Sequence, residues 1–237
     1  METRFYPTQE DVDRYLRLRV AGMRMNSKLL KAVPKQAYHE IGEALGFLKD
    51  GVLVFQSEDM TGVLSECCLY DWYEDGKNVV QRYAETHPAQ PGTEEHYMLD
   101  AYLHARYRVL QVQSLVPGAG IDCRDTLNNE DLFVMDVAFS RSAEQGYALA
   151  TRTIPLGEYW ITTGAALPMG SRDAMKAAVR RMDRSPRPKA MQGPGSLSLS
   201  MVRACLDTGA AEYIVYETAK PNRREPRHFT RRNRRPT

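Results

Sequence analysis

The stretch Tyr107-Arg108-Val109-Leu110-Gln111-Val112-Gln113-Ser114-Leu115-Val116-Pro117-Gly118-Ala119-Gly120-Ile121-Asp122-Cys123-Arg124-Asp125-Thr126 decides how the rest of the chain is read. β-Branched and aromatic residues alternate with polar ones, no helical period runs through it, and Pro-Gly-Ala-Gly interrupts it as a turn. Two strands are therefore predicted, 107–115 and 121–126. The same pattern continues to about Pro168. Asn128-Asn129, a turn-prone pair that tolerates positive φ, closes the second strand. Residues 132–139 form a third, bounded by the polar stretch 140–146. Residues 147–153 form a fourth, turned by Pro155-Leu156-Gly157, and 159–165 a fifth. Short strands at this hairpin spacing predict a small antiparallel barrel, because an open sheet of that size would leave its edges unpaired.

Outward from this unit the pattern is helical. Residues 8–33 form an amphipathic helix: Thr8 caps it, Glu10 and Asp11 suit its positive end, and Val12, Leu16, Val20, Met23 and Leu30 recur at helical spacing. Pro34 separates it from a second helix at 35–48. Asp50-Gly51 then turns the chain into Val52-Leu53-Val54-Phe55, read as an isolated strand or buried connector. A third helix follows Ser57 and carries Met60, Val63, Leu64, Cys67, Cys68 and Trp72 inward until Asp75-Gly76 breaks it. A short helix through Val79, Val80 and Tyr83, a loop at 88–92, and a helix opened by Thr93 complete this part. Beyond the barrel, Ser171 caps a helix running to 184, residues 185–195 form a Pro/Gly linker, and a last helix spans 196–207. A strand is predicted at 213–216. The expected fold is α+β: a helical region 1–106, a small antiparallel β-barrel-like unit 107–168, C-terminal helices and a short strand 169–219, and a basic disordered tail 220–237.

With 237 residues, 43% apolar and 26% charged, the chain can bury a sizeable core. No run approaches the length of a membrane span, and no apolar stretch follows Met1-Glu2-Thr3-Arg4-Phe5 to make a secretory signal. Cys67, Cys68, Cys123 and Cys205 form no C-x-x-C pair, so they are read as four buried thiols in a cytoplasmic protein. Charge is unevenly placed. Residues 220–237 hold eight basic side chains and one acid, Glu225, a net +7; the total of +2 leaves residues 1–219 at −5.

Val109, the run Val116-Pro117-Gly118-Ala119-Gly120, Cys123-Arg124-Asp125-Thr126-Leu127, Phe133 and Ala150-Thr151-Arg152 together resemble a stretch of uncharacterised bacterial proteins, several of which end in a SecA-tail-like zinc module. The resemblance implies a β unit and a bacterial source and assigns no activity. The zinc module does not carry over, since Pro221 to Thr237 contains no cysteine.

Functional expectations follow from charge and from what is missing. Arg223, Arg224, Arg227, Arg231, Arg232, Arg234 and Arg235, with His228 and Phe229 among them, are the nucleic-acid-binding candidates, because a guanidinium fork matches phosphate oxygens and its plane stacks on bases. The bland reading of the same residues is a solvated tail. Phe133, Tyr147, Tyr159 and Trp160, set among Arg124, Arg141 and Arg152, would suit a single-strand-binding face of the barrel, although aromatics in strands are more often core. Glu58, Asp59, Glu66, Asp71, Glu74 and Asp75 cluster near one helix and could hold a divalent cation, but no lysine or histidine accompanies them at a diagnostic spacing. His96 and His104 lie two turns apart, too far to share a metal, and no H-E-x-x-H is present. Gly195-Ser196-Leu197 lacks the nucleophile elbow, and Gly118-Ala119-Gly120 opens no helix, so it is not a dinucleotide fingerprint. The reading leans to a non-enzymatic binder of RNA or ribonucleoprotein, with no cofactor, metal or membrane partner. The alternatives are a metal-dependent hydrolase using carboxylates near 58–75, and a protein–protein adaptor anchored by Tyr70, Trp72 and Tyr73.

Overall fold

The computed structural model describes residues 5–55, 59–184 and 188–209. The strand expected at 213–216 and the whole arginine tail lie outside the described residues.

Helix α1 spans Gln9–Lys31. Thr8 and Asp11 form a reciprocal capping box, and Lys28 and Lys31 occupy the last turn, where the helix dipole favours cations. Its buried face is Tyr15, Leu18, Gly22, Met25 and Leu29 rather than the expected stripe, of which Leu16, Val20 and Met23 are exposed. Two apolar stripes at equal spacing run along this helix, and periodicity alone cannot choose between them. The partner helix chooses: the Tyr102 hydroxyl donates to the Gly22 carbonyl at 3.0 Å.

Helix α2 spans Lys35–Leu45 and stops at left-handed Gly46, short of the expected end. The next residues pair as strands β1 (Leu48–Lys49) and β2 (Val52–Leu53), so 52–55 is not an isolated strand but half of a hairpin. Helix α3 (Asp59–Tyr70) ends before Trp72, and the chain repeats the device with β3 (Tyr73–Glu74) and β4 (Lys77–Asn78). Both hairpins turn on Asp-Gly with positive φ at both positions (51° and 79°; 52° and 77°), the geometry that matches strand twist and that Asp-Gly adopts at least cost. Helices α4 (Val79–Thr86), capped by Asn78, and α5 (Glu94–Leu103), capped by Thr93, complete the helical layer.

Strands β5 (Arg106–Val116), β6 (Gly120–Asp125) and β7 (Glu130–Met135) form an antiparallel meander. The expected third strand ends at Met135 because Asp136 accepts from the Phe139 N–H at 3.0 Å and starts the short helix α6 (Phe139–Ser142). Strand β8 (Ala148–Pro155) returns beside β5. The expected fifth strand divides around Gly164 (φ 105°) into β9 (Trp160–Thr162) and β10 (Leu167–Pro168). β9 pairs antiparallel with β8 and parallel with β7 through Val134–Trp160, which closes a five-stranded barrel; β10 adds to the other half of the same β8 edge. Closure removes the unpaired edges that made an open sheet unfavourable.

The closed barrel has two apolar cores. Leu110, Val112, Ile121, Cys123, Val134 and Leu149 fill its interior. The opposite faces of the same strands, including Val109, Ala150, Ile154 and Ile161, pack against the helices. Helix α7 (Arg172–Asp183), whose Ala174 N–H bonds the Ser171 hydroxyl at 3.2 Å, a 3-10 turn at Lys189–Gln192 and helix α8 (Ser196–Asp207) follow the barrel. All four cysteines are free and buried. Among the described residues no helix is long and apolar enough to cross a membrane.

Candidate functional site: a shared arginine between two cavities

The alternation of β8 sends Thr151 and Thr153 into the barrel and Arg152 out toward the helices, where it is only 5% exposed. A buried guanidinium needs partners, and α3 supplies two. Asp71, just past the helix end, accepts from Arg152 Nη2 through both carboxylate oxygens, at 2.8 and 2.7 Å. Glu66 lies 3.5 Å from Nε with one oxygen and accepts from the Thr163 hydroxyl with the other. Gly195, before α8, allows the last element to close on this point: a Cβ there would fall 2.4 Å from the Asp71 carbonyl oxygen. Ser198 of α8 thereby comes 2.5 Å from Asp71 Oδ1 and 3.0 Å from the Gly195 carbonyl, with one hydroxyl proton to share between them.

One positive charge thus serves two buried carboxylates. Burial pushes the Glu66 carboxyl up to about 7; Arg152 and the Thr163 hydroxyl pull it down, and Asp71 adds to the rise. Burial opposes the charge on Arg152, but Asp71 and Glu66 more than offset it and hold the guanidinium protonated. Burial likewise pushes the Cys67 thiol and the Tyr70 and Tyr107 phenols well above their ordinary ranges, so all three stay neutral. The rings of Tyr70 and Tyr107 lie 4.5 and 5.4 Å from the guanidinium. Three buried polar atoms in this group, Arg152 Nε and the two phenol oxygens, have no hydrogen-bond partner among the described residues.

Cavities adjoin the centre on two sides. One, of about 280 Å³, is mainly polar and has Asp71, Arg152, Ser198, Asn78, Gln81 and Tyr107 in its wall. The other, a groove of about 380 Å³ between α1, α3, α5 and the barrel, has Glu66 and Thr163 in its wall. Tyr70 borders both. Small-ligand sites are commonly of this size, with a few polar groups converging on a concave wall.

A second buried arginine, Arg108, closes one end of the barrel interior. It donates to Asp125 at 2.5 Å, Glu130 at 2.8 Å and the Thr153 hydroxyl at 3.1 Å, and stacks 4.4 Å from the Trp160 ring. Burial raises the Asp125 carboxyl, but hydrogen bonds from Asn128, Arg108 and the backbone N–H groups of Leu127 and Asn128 outweigh it and hold the group below the usual carboxylate range.

The expected groupings are largely dispersed. The seven tail arginines lie outside the described residues. Phe133, Tyr159 and Arg152 are buried, Trp160 covers Arg108, and Arg124 is paired with Asp131, so the supposed single-strand face of the barrel is not one surface. Glu58 and the side chain of Asp59 lie outside the described residues, and the other carboxylates near 58–75 do not gather around a vacant centre: Glu66 and Asp71 share Arg152, Glu74 pairs with Arg82, and Asp75 sits in a turn. Among the described residues no three His, Cys, Asp or Glu side chains converge as metal ligands. Tyr70 and Trp72 are core residues, Trp72 donating to Glu40 at 2.8 Å, and so cannot anchor a partner. His96 and His104 are exposed, the latter 2.9 Å from the Asp100 carbonyl. Sequence reading missed the Arg152 centre, although a signal existed: Glu66 interrupts an apolar helical run, and Arg152 stands mid-strand among small and apolar residues.

These features define an α+β protein built on a closed five-stranded barrel, with helices over one wall and an acid–arginine–acid centre at the junction. The chain belongs to a family of unknown function (DUF7986), whose model matches residues 9–184. The match includes Glu66, Asp71 and Arg152 and stops before Ser198 and the tail arginines. No curated protein and no solved structure matches the chain.

Proposed function

We propose that the protein binds a small polar molecule at the Arg152 centre. The observation that carries this reading is unused hydrogen-bonding capacity beside open space: a guanidinium nitrogen and two phenols lacking hydrogen-bond partners among the described residues, next to cavities of about 280 and 380 Å³. Buried polar groups are nearly always satisfied, so such a concentration supports an occupant that supplies the missing partners. A thermal-shift screen of metabolite classes, followed by methyl-resolved NMR, tests it. A true ligand moves the Leu197 methyls if it sits in the smaller cavity or the Met98 and Ile154 methyls if it sits in the groove, and its effect drops when Gln81 or Ser198 (smaller cavity) or Thr163 (groove) becomes alanine. If no compound class perturbs these positions, the reading fails.

A second reading rests on charge. A tail of +7 on a body of −5 supports capture of RNA phosphates by Arg223, Arg224, Arg227, Arg231, Arg232, Arg234 and Arg235. Fluorescence anisotropy against single-stranded RNA should show affinity falling steeply between about 50 and about 200 mM salt. Equal binding after removal of residues 221–237 would refute it.

A further inference from the structure

The two cavities at the Arg152 centre differ in kind. The larger is walled by Leu18 and Met23 of α1, Leu69 of α3, Met98 of α5, and Ile154 and Ile161 of the barrel, with the Glu66 carboxyl as its buried acidic group. The described charges around that carboxyl are few. Arg152 makes its shorter contacts with Asp71, and its ion pair with Glu66, through Nε, is longer, at 3.5 Å. Arg19 borders the groove from α1, where its Nη1 donates to the Thr162 carbonyl at 3.1 Å. The remaining titratable neighbours, Cys67, Tyr70, Tyr102 and Tyr107, are kept neutral by burial. With Glu66 and Asp71 both ionised, the triad therefore carries one negative charge in excess in a low-dielectric place. That excess can be cancelled by a proton or by a cation.

Resting on the small-ligand reading above, we infer that the groove takes a small organic ammonium with a short apolar body, the ammonium seated on Glu66 and the body against the apolar walls. An ammonium brings three N–H donors and a full charge to an acid that now shares its arginine. An apolar tail gains burial along Leu18, Met98, Ile154 and Ile161, whereas an anionic head group seated at Glu66 would meet that carboxylate's like charge. The groove volume of about 380 Å³ limits the occupant to a small molecule. Since Glu66 holds its proton up to about pH 7, the ammonium displaces that proton to the solvent as it binds.

The test is calorimetry with three probes of one shape: hexylammonium, hexanol and hexanoate, on the full chain across pH 5 to 9, in buffers of differing ionisation enthalpy. Hexylammonium should bind best. Its affinity should weaken about tenfold for each pH unit below 7, level off above pH 8, and be accompanied by release of up to one proton. Glu66→Gln should weaken it at least tenfold and abolish the pH dependence. Should that variant not fold, the wild-type pH series and proton count decide alone. Hexanol binding as tightly, or pH-independent hexylammonium binding, overturns the inference. Hexanoate or hexanol in the groove without hexylammonium overturns the choice of charge while leaving the small-ligand reading intact. Failure of all three probes overturns the ammonium inference, and only failure of the wider screen as well removes the small-ligand reading.

Discussion

Arg108 and Arg152 leave neighbouring strands one step apart in register, Arg108 opposite Thr151 and Tyr107 opposite Arg152. Both are buried, and both face two carboxylates. The pleat sends them to opposite sides of the barrel wall, and there the resemblance ends. Arg108 is stacked on Trp160 and bonded through two of its nitrogens to three side chains, one of which, Glu130, is half exposed. Asp125 beside it is held ionised. Arg152 Nε has an ion pair with Glu66 at 3.5 Å but no closer hydrogen-bond partner among the described residues, both of its acids are buried, and one of them is driven toward its neutral form. A buried arginine is therefore not a functional signal by itself. What separates the two arginines is whether their charges and hydrogen bonds close among the described side chains.

That contrast can be broken by mutation. The largest effect is expected for Arg108→Met, which strands the fully buried Asp125 carboxylate: urea denaturation at pH 7 should show a loss of about 3–5 kcal/mol. A loss below about 1 kcal/mol would mean the plug is not structural.

Next in size is the opposite pH response of the two centres. Glu66 binds its proton more tightly folded than unfolded, so its contribution is fully present below the ordinary glutamate value of 4.5 and is lost as pH rises through about 7. The shift amounts to about 3 kcal/mol between pH 4 and pH 8, and Glu66→Gln should remove this slope and leave the protein more stable than wild type at pH 8. Asp125 works in the other direction: its contribution is present above the ordinary aspartate value of 3.8 and is lost as pH falls through its lower folded value. Chemical denaturation across pH 3 to 9 reads both, and a Glu66→Gln variant that keeps the alkaline decline would contradict the assignment.

The smallest effect sharpens the same point. Thr163→Val removes the hydroxyl that donates to Glu66, so stability should fall by about 1 kcal/mol and the alkaline midpoint should move above 7. Carboxyl-resolved NMR titration of Glu66 measures the midpoint directly, and an unchanged value would show that the hydroxyl does not hold the ionised form.

The barrel was readable because its evidence is local. Pro117-Gly118 and Asn128-Asn129 turn the meander where expected, and the alternation in β5 sorts Leu110 and Val112 from Gln111 without reference to any distant residue. The capping of α1 by Thr8 and of α5 by Thr93 was equally local. Misreadings arose where two local choices were equivalent. Leu16, Val20 and Met23 repeat as regularly along α1 as the residues that face the core, and Trp72 continues the period of α3 past its actual end. At the centre itself local evidence pointed the wrong way: acids on a helix near its ends read as solvated or metal-binding, whereas Glu66 and Asp71 turn inward to an arginine some eighty residues away.

The identity of the helices and of the long barrel strands, the Asp-Gly turns and the burial of the cysteines follow from composition and spacing, because each depends on backbone preferences within a few residues. Closure of the barrel through Val134 and Trp160, the face that α1 buries, and the meeting of Glu66, Asp71, Arg152, Thr163 and Ser198 come from packing. The hydrogen bonds that Asp71 and Glu66 accept from Arg152, Thr163 and Ser198 join positions 81 to 127 residues apart, and their energies depend on burial and charge compensation, which exist only once the chain has folded.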